Sequence, residues 1–356
     1  MATLHVTEPY TLIKKDGDTL LVHIPANEEL ERESSKVRVP LIKVDEVVIL
    51  GDSTVTSPAL GAMLDQRIAI TFLTRYGTFR GRLVPSFSRN SLLRLAQFRA
   101  HENPKQSLKF AKQFVIGKLS NLRTILLRSN RKMDDSEVTR SANSLDGVIQ
   151  QVKKLESDGS PPPDPGKPQS GTAWGSLQGL EGAGTGRYFA VFDRLLRGDP
   201  KMRFNGRNRR PPRDPVNALL SYGYTLLMHQ CAAALQLVGF DPYIGYLHSS
   251  QYSKPSLALD LMEEFRGPVI DSVVLTVVNN KIITSADFQT EMGSCRIEDD
   301  PRRTYLRKYE ARLNTEIKHP IFGYKATYRR CIELQARLLA KTINGEIDAY
   351  PPFKIR

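Results

Sequence analysis

The segment SLALDLMEEFR places Asp260, Glu263 and Glu264 at positions i, i+3 and i+4. On a helix, Asp260 then shares a face with either glutamate. Leu257, Leu261 and Phe265 mark the apolar stripe, and Leu259, Leu261 and Met262 crowd the acids with core-type neighbours. Carboxylates in such company cost free energy unless they are paired or bound to a metal. One reading is a carboxylate capping the helix start plus a salt bridge to Arg266; the other is an ion site. His248 stands fifteen residues before Glu263, in the Ser-rich loop YIGYLHSSQYSKPS. A loop histidine can be an incidental surface residue, yet the short connection brings this one near the start of the acidic helix. Imidazole with carboxylates and no thiolate suits Mg2+ or Mn2+, with Mn2+ better disposed to nitrogen. Glu181 is the third piece, in LQGLEGAGTGRYFAVFDRLL, where Gly182, Gly184 and Gly186 alternate. No strand signal precedes it and the last element of a dinucleotide fingerprint is missing, so a nucleotide loop is rejected. The glycines allow a backbone, from a helix or from nucleic acid, to come close. The alternative is an acid favoured by a helix N-terminus, followed by glycines for tight helix packing.

Two kinds of element must position these residues. Residues 1–88 read as a small β domain. Its segments Tyr10–Lys14, Thr19–Ile24, Leu41–Leu50, Ile68–Thr74 and Phe79–Val84 are short and rich in Val, Ile, Leu and Thr. Turn signals at Lys15-Asp16-Gly17-Asp18 and Tyr76-Gly77 separate them, and Pro85 stops the run. No titratable cluster suited to chemistry lies there, which leaves packing or dimerisation. Residues 89–356 read as all-α. Leu108, Ala111, Val115, Leu119, Leu122 and Leu126 recur at three- or four-residue steps, a stripe facing a core. A second helix is expected over 135–156, then an exposed, mobile Pro/Gly-rich loop over 157–172, SDGSPPPDPGKPQSGT. Asp214-Pro215 starts a long helix to Val238, apolar nearly all round and therefore central. Further helices are expected over 256–266, 269–278, 302–315 and 322–343. The fold class is α+β multidomain: an N-terminal small β domain followed by an all-α helical C-terminal domain.

Lys and Arg number 51 against 38 Asp and Glu, a net charge of +13. The first 90 residues are neutral, 11 against 11, so the remainder carries the surplus. Residues 89–132 hold eleven basic side chains and one acid, Glu102; residues 187–213 hold nine against Asp193 and Asp199. Such a field attracts polyanions, although a soluble face with a basic bias gives the same count. Cys231, Cys295 and Cys331 have no close spacing, which excludes a disulfide scaffold and a cysteine-ligated zinc site and points to a reducing compartment. No run approaches the roughly 18 apolar residues of a membrane span, and the N-terminus lacks a secretion-signal layout. The expected location is cytoplasmic, with no membrane partner.

The blocks TRYGTFRGRL, GLEGAGTGRYF, RPPRDPVNALLSYGYTLL, VGFDPYIGYLH and KPSLALDLMEEFR, in that order, resemble the CRISPR-associated adaptation integrases, the Cas1 family. Each block alone is weak; the combination spans most of the chain and is specific. The resemblance implies a prokaryotic, metal-dependent DNA endonuclease and integrase. Such an enzyme inserts spacers into the repeat array by joining the 3′-hydroxyl of a short DNA fragment to a phosphodiester. It implies metal ligands at Glu181, His248 and Glu263, with Asp260, one turn earlier, as a supporting acid. The last ligand is Asp in many relatives and Glu here, and Glu264 is its rival for the role. The basic stretches would then hold double-stranded and branched DNA through phosphates, with Arg187, Arg203, Arg207, Arg209, Arg210 and Lys254 as candidates; such contacts position DNA without reading sequence. The implied working unit is a homodimer built through the β domain, two of which flank a dimer of the small partner Cas2. Three competing readings are a catalytically silent DNA-binding scaffold, a transposase-like integrase of a mobile element, and a metallohydrolase of small substrates. The last has no use for the charge asymmetry.

Overall fold

Alternating Val, Ile and Leu in short runs, punctuated by turns, favour strands, and the N-terminal part of the chain forms eight of them among the described residues. They are β1 (Ala2–Val6), β2 (Thr11–Asp16), β3 (Thr19–Ile24), β4 (Ser35–Pro40), β5 (Val44–Leu50), β6 (Ser53–Val55), β7 (Ala69–Leu73) and β8 (Phe79–Leu83). The structure is a computed structural model describing residues 2–27, 32–75, 77, 79–85, 90–162, 170–208, 211–249 and 251–356. The chain divides into two units, Met1–Phe87 and Ser88–Arg356.

In the first unit, two four-stranded sheets run in the orders β1-β5-β7-β8 and β4-β3-β2-β6. Ile13, Leu20, Val47, Ile49 and Ile70 form their shared core. The first part of the chain is not purely β. A helix, α1 (Ser57–Asp65), follows β6 and buries Ala59 and Met63, one turn apart, in that core. Pro58 in its first turn is a helix-start signal that the strand-rich surroundings obscured. β4, which was not anticipated, is exposed at its first four positions, Val37 included.

The second unit contains α2 (Ser91–Glu102), α3 (Pro104–Asn130), α4 (Ser136–Lys154), α5 (Ala173–Ala190), α6 (Pro215–Val238), α7 (Ser256–Glu263), α8 (Ser272–Asn279), α9 (Asp299–Leu313) and α10 (Tyr328–Ile343). Asn103 separates α2 from α3 and caps α3, its side chain accepting from Gln106 N. The stripe from Leu108 to Leu126 is buried, and α3 packs on α4, α5 and α7. Asp214 caps α6 by accepting from Asn217 N at 2.8 Å. Leu219, Leu220, Leu227 and Leu235 are wholly buried, and α6 contacts α7, α8 and α10. Between α7 and α8 the chain makes a π-helical turn, Arg266–Asp271, a local widening often found at functional sites.

Two hairpins break the all-α expectation for this unit: β9 (Phe288–Glu291) with β10 (Ser294–Ile297), and β11 (Glu316–Lys318) with β12 (Lys325–Thr327). The helix expected over 322–343 therefore starts at Tyr328. Of the Pro/Gly-rich loop, residues 163–169 lie outside the described residues. Its described flanks are tied down: Asp158 accepts from Ala173 N at 2.8 Å, and Trp174 Nε1 donates to Ser160 O at 3.2 Å. No helix among the described residues is long and apolar enough to cross a membrane.

Candidate metal centre

Two glycines let the acidic cluster assemble. A Cβ on Gly184 would lie 2.6 Å from Leu119 Cδ2, so glycine lets α5 meet α3 here without displacing the Leu119 side chain. Lys118 precedes Leu119 and Glu181 lies one turn before Gly184, so the contact brings lysine and glutamate together. Gly182 and Gly186 are exposed, and a Cβ on either would meet nothing within 4 Å. A Cβ on Gly245 would lie 2.7 Å from Ser256 C and 2.8 Å from Asp260 Oδ2. Glycine there lets the loop after α6 drape over the start of α7.

Asp260 is fully buried and organises that loop. Its Oδ2 accepts from Tyr246 N at 2.5 Å and Leu247 N at 3.0 Å. Its Oδ1 accepts from His248 N at 2.9 Å and from His248 Nδ1 at 2.8 Å. An ionised carboxylate can only accept, so Nδ1 carries a proton, and in the neutral ring Nε2 would present its lone pair. Nε2 faces Glu263 Oε1 at 3.9 Å. An imidazole whose far nitrogen is held by a carboxylate is the usual support for a metal-ligating histidine.

Lys118 Nζ donates to Glu181 Oε1 and lies 2.8 Å from Glu263 Oε2. Thr185 donates a second hydrogen bond to Glu181 Oε1, at 3.0 Å. Arg266 Nη1 donates to Glu263 Oε1 at 2.8 Å, and its guanidinium stacks 4.1 Å from the centre of the Tyr224 ring. Tyr224 and Tyr188 then donate to the buried Asp271, at 2.5 and 2.9 Å. A polar chain thus runs from Glu181 to Asp271 through the unit's interior. Burial alone would push the Glu181 carboxyl up, but the Lys118 ammonium and the hydrogen bonds outweigh it and hold the group below its ordinary range. Burial opposes ionisation of Glu263 too, and Arg266 and Lys118 overcome it, so both acids stay anionic.

The donors fit a hard divalent ion: two carboxylates, a free imidazole nitrogen and no thiol. Glu263 Oε2 is buried and lies 2.8 Å from the Lys118 ammonium. His248 and Glu181 each keep 28% of their side-chain surface in solvent while Glu263 keeps 3%, so the cluster has an open rim and a dry floor. As the side chains stand, no three His, Cys, Asp or Glu among the described residues form a cage for a metal. Both carboxylates are drawn onto the Lys118 ammonium instead.

Glu264 turns away from this cluster. It is buried and accepts from Phe353 N at 2.7 Å, Tyr350 OH at 2.7 Å and Gln335 Nε2 at 3.1 Å. Burial, only partly offset by these donors, pushes its carboxyl up to about 8. The group anchors the C-terminal segment. Among the basic candidates, Arg187 is exposed and donates to Ser144 O at 3.3 Å. Arg203 is exposed and pairs with Asp193 at 3.0 Å. Arg207 is half-buried at the start of α6, donating to Asn208 O, Asn217 Oδ1 and Ser221 Oγ. Lys254 is half-buried with Asp260 near it, and burial holds its ammonium below the usual range. Arg209 and Arg210 lie outside the described residues. The salt bridge expected between the acidic helix and Arg266 is present, made to Glu263, whereas Lys118, Thr185 and Tyr224 were not anticipated in these roles. Lys118 did leave a signal: it stands three residues after Val115 and four before Leu122, on the apolar stripe itself.

A profile of the family described as CRISPR associated protein Cas1 matches residues 4–311. A CRISPR-associated endonuclease Cas1 of Thermus thermophilus is 36% identical over 356 residues, covering 100% of this chain and 98% of that protein. A CRISPR-associated exonuclease Cas4/endonuclease Cas1 fusion of Geobacter sulfurreducens is 37% identical over 360 residues, covering 99% of this chain; the chain spans only 60% of the fusion's length. Among solved structures, a casposase bound to integration product matches with a TM-score of 0.82 over 100% of this chain and 95% of that one. At 22% identity that likeness is one of fold.

Proposed function

The chain belongs to the Cas1 family of CRISPR-associated proteins, and on that premise we propose that it is a metal-dependent DNA endonuclease and strand-transfer enzyme that inserts short DNA fragments into the repeat array. The observation that carries the metal-dependent part is the pair of carboxylates, Glu181 and Glu263, drawn onto one ammonium beside the free Nε2 of an imidazole that Asp260 holds in place.

Glu181, Glu263 and His248 Nε2 would hold Mg2+ or Mn2+. When bound, such an ion supplies polarisation of the scissile phosphate and offsets the charge that builds on it. The protein's own part is preorganisation. Asp260 fixes the tautomer and direction of His248. Arg266 fixes Glu263. Lys118 keeps two close carboxylates from repelling each other apart. Exposed Arg187 and Arg203, with Lys254 beside the His248 loop, would take phosphates of the DNA. In strand joining, a 3′-hydroxyl oxygen bonds to phosphorus, the bond to the departing 3′-oxygen breaks, and the hydroxyl proton passes to that oxygen by way of solvent. Attack by water in the same geometry gives cleavage. The first 88 residues would form the homodimer and residues 89–356 the catalytic and DNA-binding part. A Cas2 dimer would bridge two such homodimers in a prokaryotic cytoplasm.

The test is Mn2+-dependent cleavage and joining of branched DNA by Glu181→Ala and His248→Ala variants. Both activities should be lost while duplex binding persists. Wild-type rates in either variant would sink the assignment of these residues, and a wild-type protein that binds duplex but neither cleaves nor joins it would be a DNA-binding scaffold.

A further inference from the structure

The β11–β12 hairpin carries the sequence Lys318-His-Pro-Ile-Phe-Gly-Tyr-Lys325, and its tip shows apolar surface to solvent. Ile321, Phe322 and Tyr324 are 40%, 43% and 50% exposed. The rings of Phe322 and Tyr324 are stacked, 5.7 Å apart and 18° from parallel. The tip is held firmly. His319 is buried, and its Nδ1 accepts from Ile321 N and Phe322 N, both at 3.3 Å. His319 N donates to Tyr324 O at 2.8 Å, Gly323 N donates to His319 O at 2.9 Å, and Gly323 supplies the φ of +75° that closes the turn. The His319 ring packs edge-on against Phe353 at 6.0 Å.

Lys318 and Lys325 are exposed and directly opposite each other in the strand pair. Like charges in that position destabilise a hairpin, and neither lysine makes an ion pair with a described residue. Glu316, the one acid on the two strands, is exposed and sits opposite Thr327. Two aromatic rings that pack on each other and on His319 yet stay partly exposed, flanked by two exposed lysines, form a surface with a definite complement. An unpaired nucleic-acid strand offers both base faces to stack and phosphates to neutralise. A duplex hides its base faces. Protein interfaces are poor in lysine, which disfavours a protein occupant.

We propose that this hairpin is a binding site for unpaired nucleic acid, with Phe322 and Tyr324 stacking on bases and Lys318 and Lys325 contacting phosphates. The site lies outside the acidic cluster and needs no ion. The inference rests on the proposed DNA chemistry only for the source of the strand, which would be the unpaired arm of a branched substrate.

The test uses the full chain in EDTA, with fluorescence anisotropy of a labelled twelve-nucleotide oligo-dT and of a twelve-base-pair duplex. Phe322→Ala with Tyr324→Ala should weaken oligo-dT binding at least tenfold and change duplex binding by less than twofold. Lys318→Gln with Lys325→Gln should weaken oligo-dT binding and lower its salt slope by about one to two. Phe322→Leu with Tyr324→Leu keeps apolar bulk without rings and should lose oligo-dT as the alanine pair does; it serves if the alanine pair is unfolded by circular dichroism. Unchanged oligo-dT binding, or equal loss of oligo-dT and duplex, would overturn the proposal. So would a change in sedimentation with oligo-dT affinity intact, which would make the tip a protein contact. Because no divalent ion is present, an inactive nuclease would leave this result standing, and an active one would not rescue it.

Discussion

Replacing Lys118 by methionine removes the buried cation that touches both Glu181 and Glu263. Two opposite charges about 4 Å apart attract by about 4 kcal/mol at an effective dielectric of about 20. Stripping one partner from a buried ion pair costs about 3–5 kcal/mol. Arg266 still holds Glu263 and water can reach Glu181, so the lower end applies. The metal-free variant should lose about 3 kcal/mol, a fall in melting temperature of roughly 6–12 °C for a unit of this size. The effect on a divalent ion has the opposite sign. An ammonium about 4 Å from a doubly charged ion is repelled by about 2 kcal/mol even at the dielectric of water, or about thirtyfold in affinity. Lys118→Met should therefore melt earlier in EDTA and bind Mn2+ roughly ten- to thirtyfold more tightly by calorimetry. Its melting temperature should close on that of the wild type as Mn2+ is added. A folded variant whose Mn2+ affinity is equal to or weaker than that of the wild type would refute the idea that lysine and ion compete for one place. Lys118→Gln, which keeps a hydrogen-bond donor, provides the same comparison if methionine is not tolerated.

Asp260→Asn keeps size but replaces an acceptor oxygen with a donor facing backbone N–H groups; Mn2+ affinity should fall about 10–100-fold, read by the same titration. Gly184→Ala forces Leu119 aside and should cost about 1–3 kcal/mol. Gly182→Ala, in open space on the same helix, should gain about 0.5–1 kcal/mol, and thermal melts of the pair separate helix packing from helix propensity. Burial holds the His319 imidazole below its ordinary pKa, and its neutral Nδ1 accepts two backbone donors. Its stabilising contribution is therefore present above about pH 6.5 and is lost as pH falls through the depressed folded value. His319→Gln should flatten the drop in melting temperature between about pH 7 and pH 5.

The parts of this structure that repeat were visible in the chain. The stripe from Leu108 to Leu126, the Asp214-Pro215 helix start and the Asp260/Glu263 spacing all state their geometry locally. The Gly182-Gly184-Gly186 alternation raised both close approach and helix packing, and the structure divides them: Gly184 packs on Leu119, while its neighbours stay bare. What stayed hidden depends on distant partners. Nothing within SLALDLMEEFR says that Glu263 faces Lys118 while Glu264 faces Phe353, 89 residues later in the chain. That choice follows from which neighbours α3 and the C-terminal segment supply on either side of α7. β11 and β12 escaped notice for a similar reason: strands of three residues carry too little alternation to compete with the helical pattern that follows.

The charge of the cluster limits what Lys118 can do once an ion is in place. Glu181, Asp260 and Glu263 contribute three negative charges; Lys118 and Arg266 return two, leaving a net of −1 on the wall that a DNA phosphate must approach. Adding a divalent ion brings the wall to +1, which suits a phosphodiester of charge −1. Taking Lys118 away brings it to 0. The ammonium and the ion cannot both occupy the space between two carboxylates, and expelling the lysine to water would waste that charge. The economical destination would be the substrate phosphate, since a four-carbon stem is flexible. Lys118→Met should thus separate two quantities that a purely structural lysine would move together. Mn2+ affinity rises, while the joining rate at saturating Mn2+ falls by at least tenfold. A variant that binds Mn2+ more tightly and joins DNA at the wild-type rate would confine the lysine to the ion-free protein.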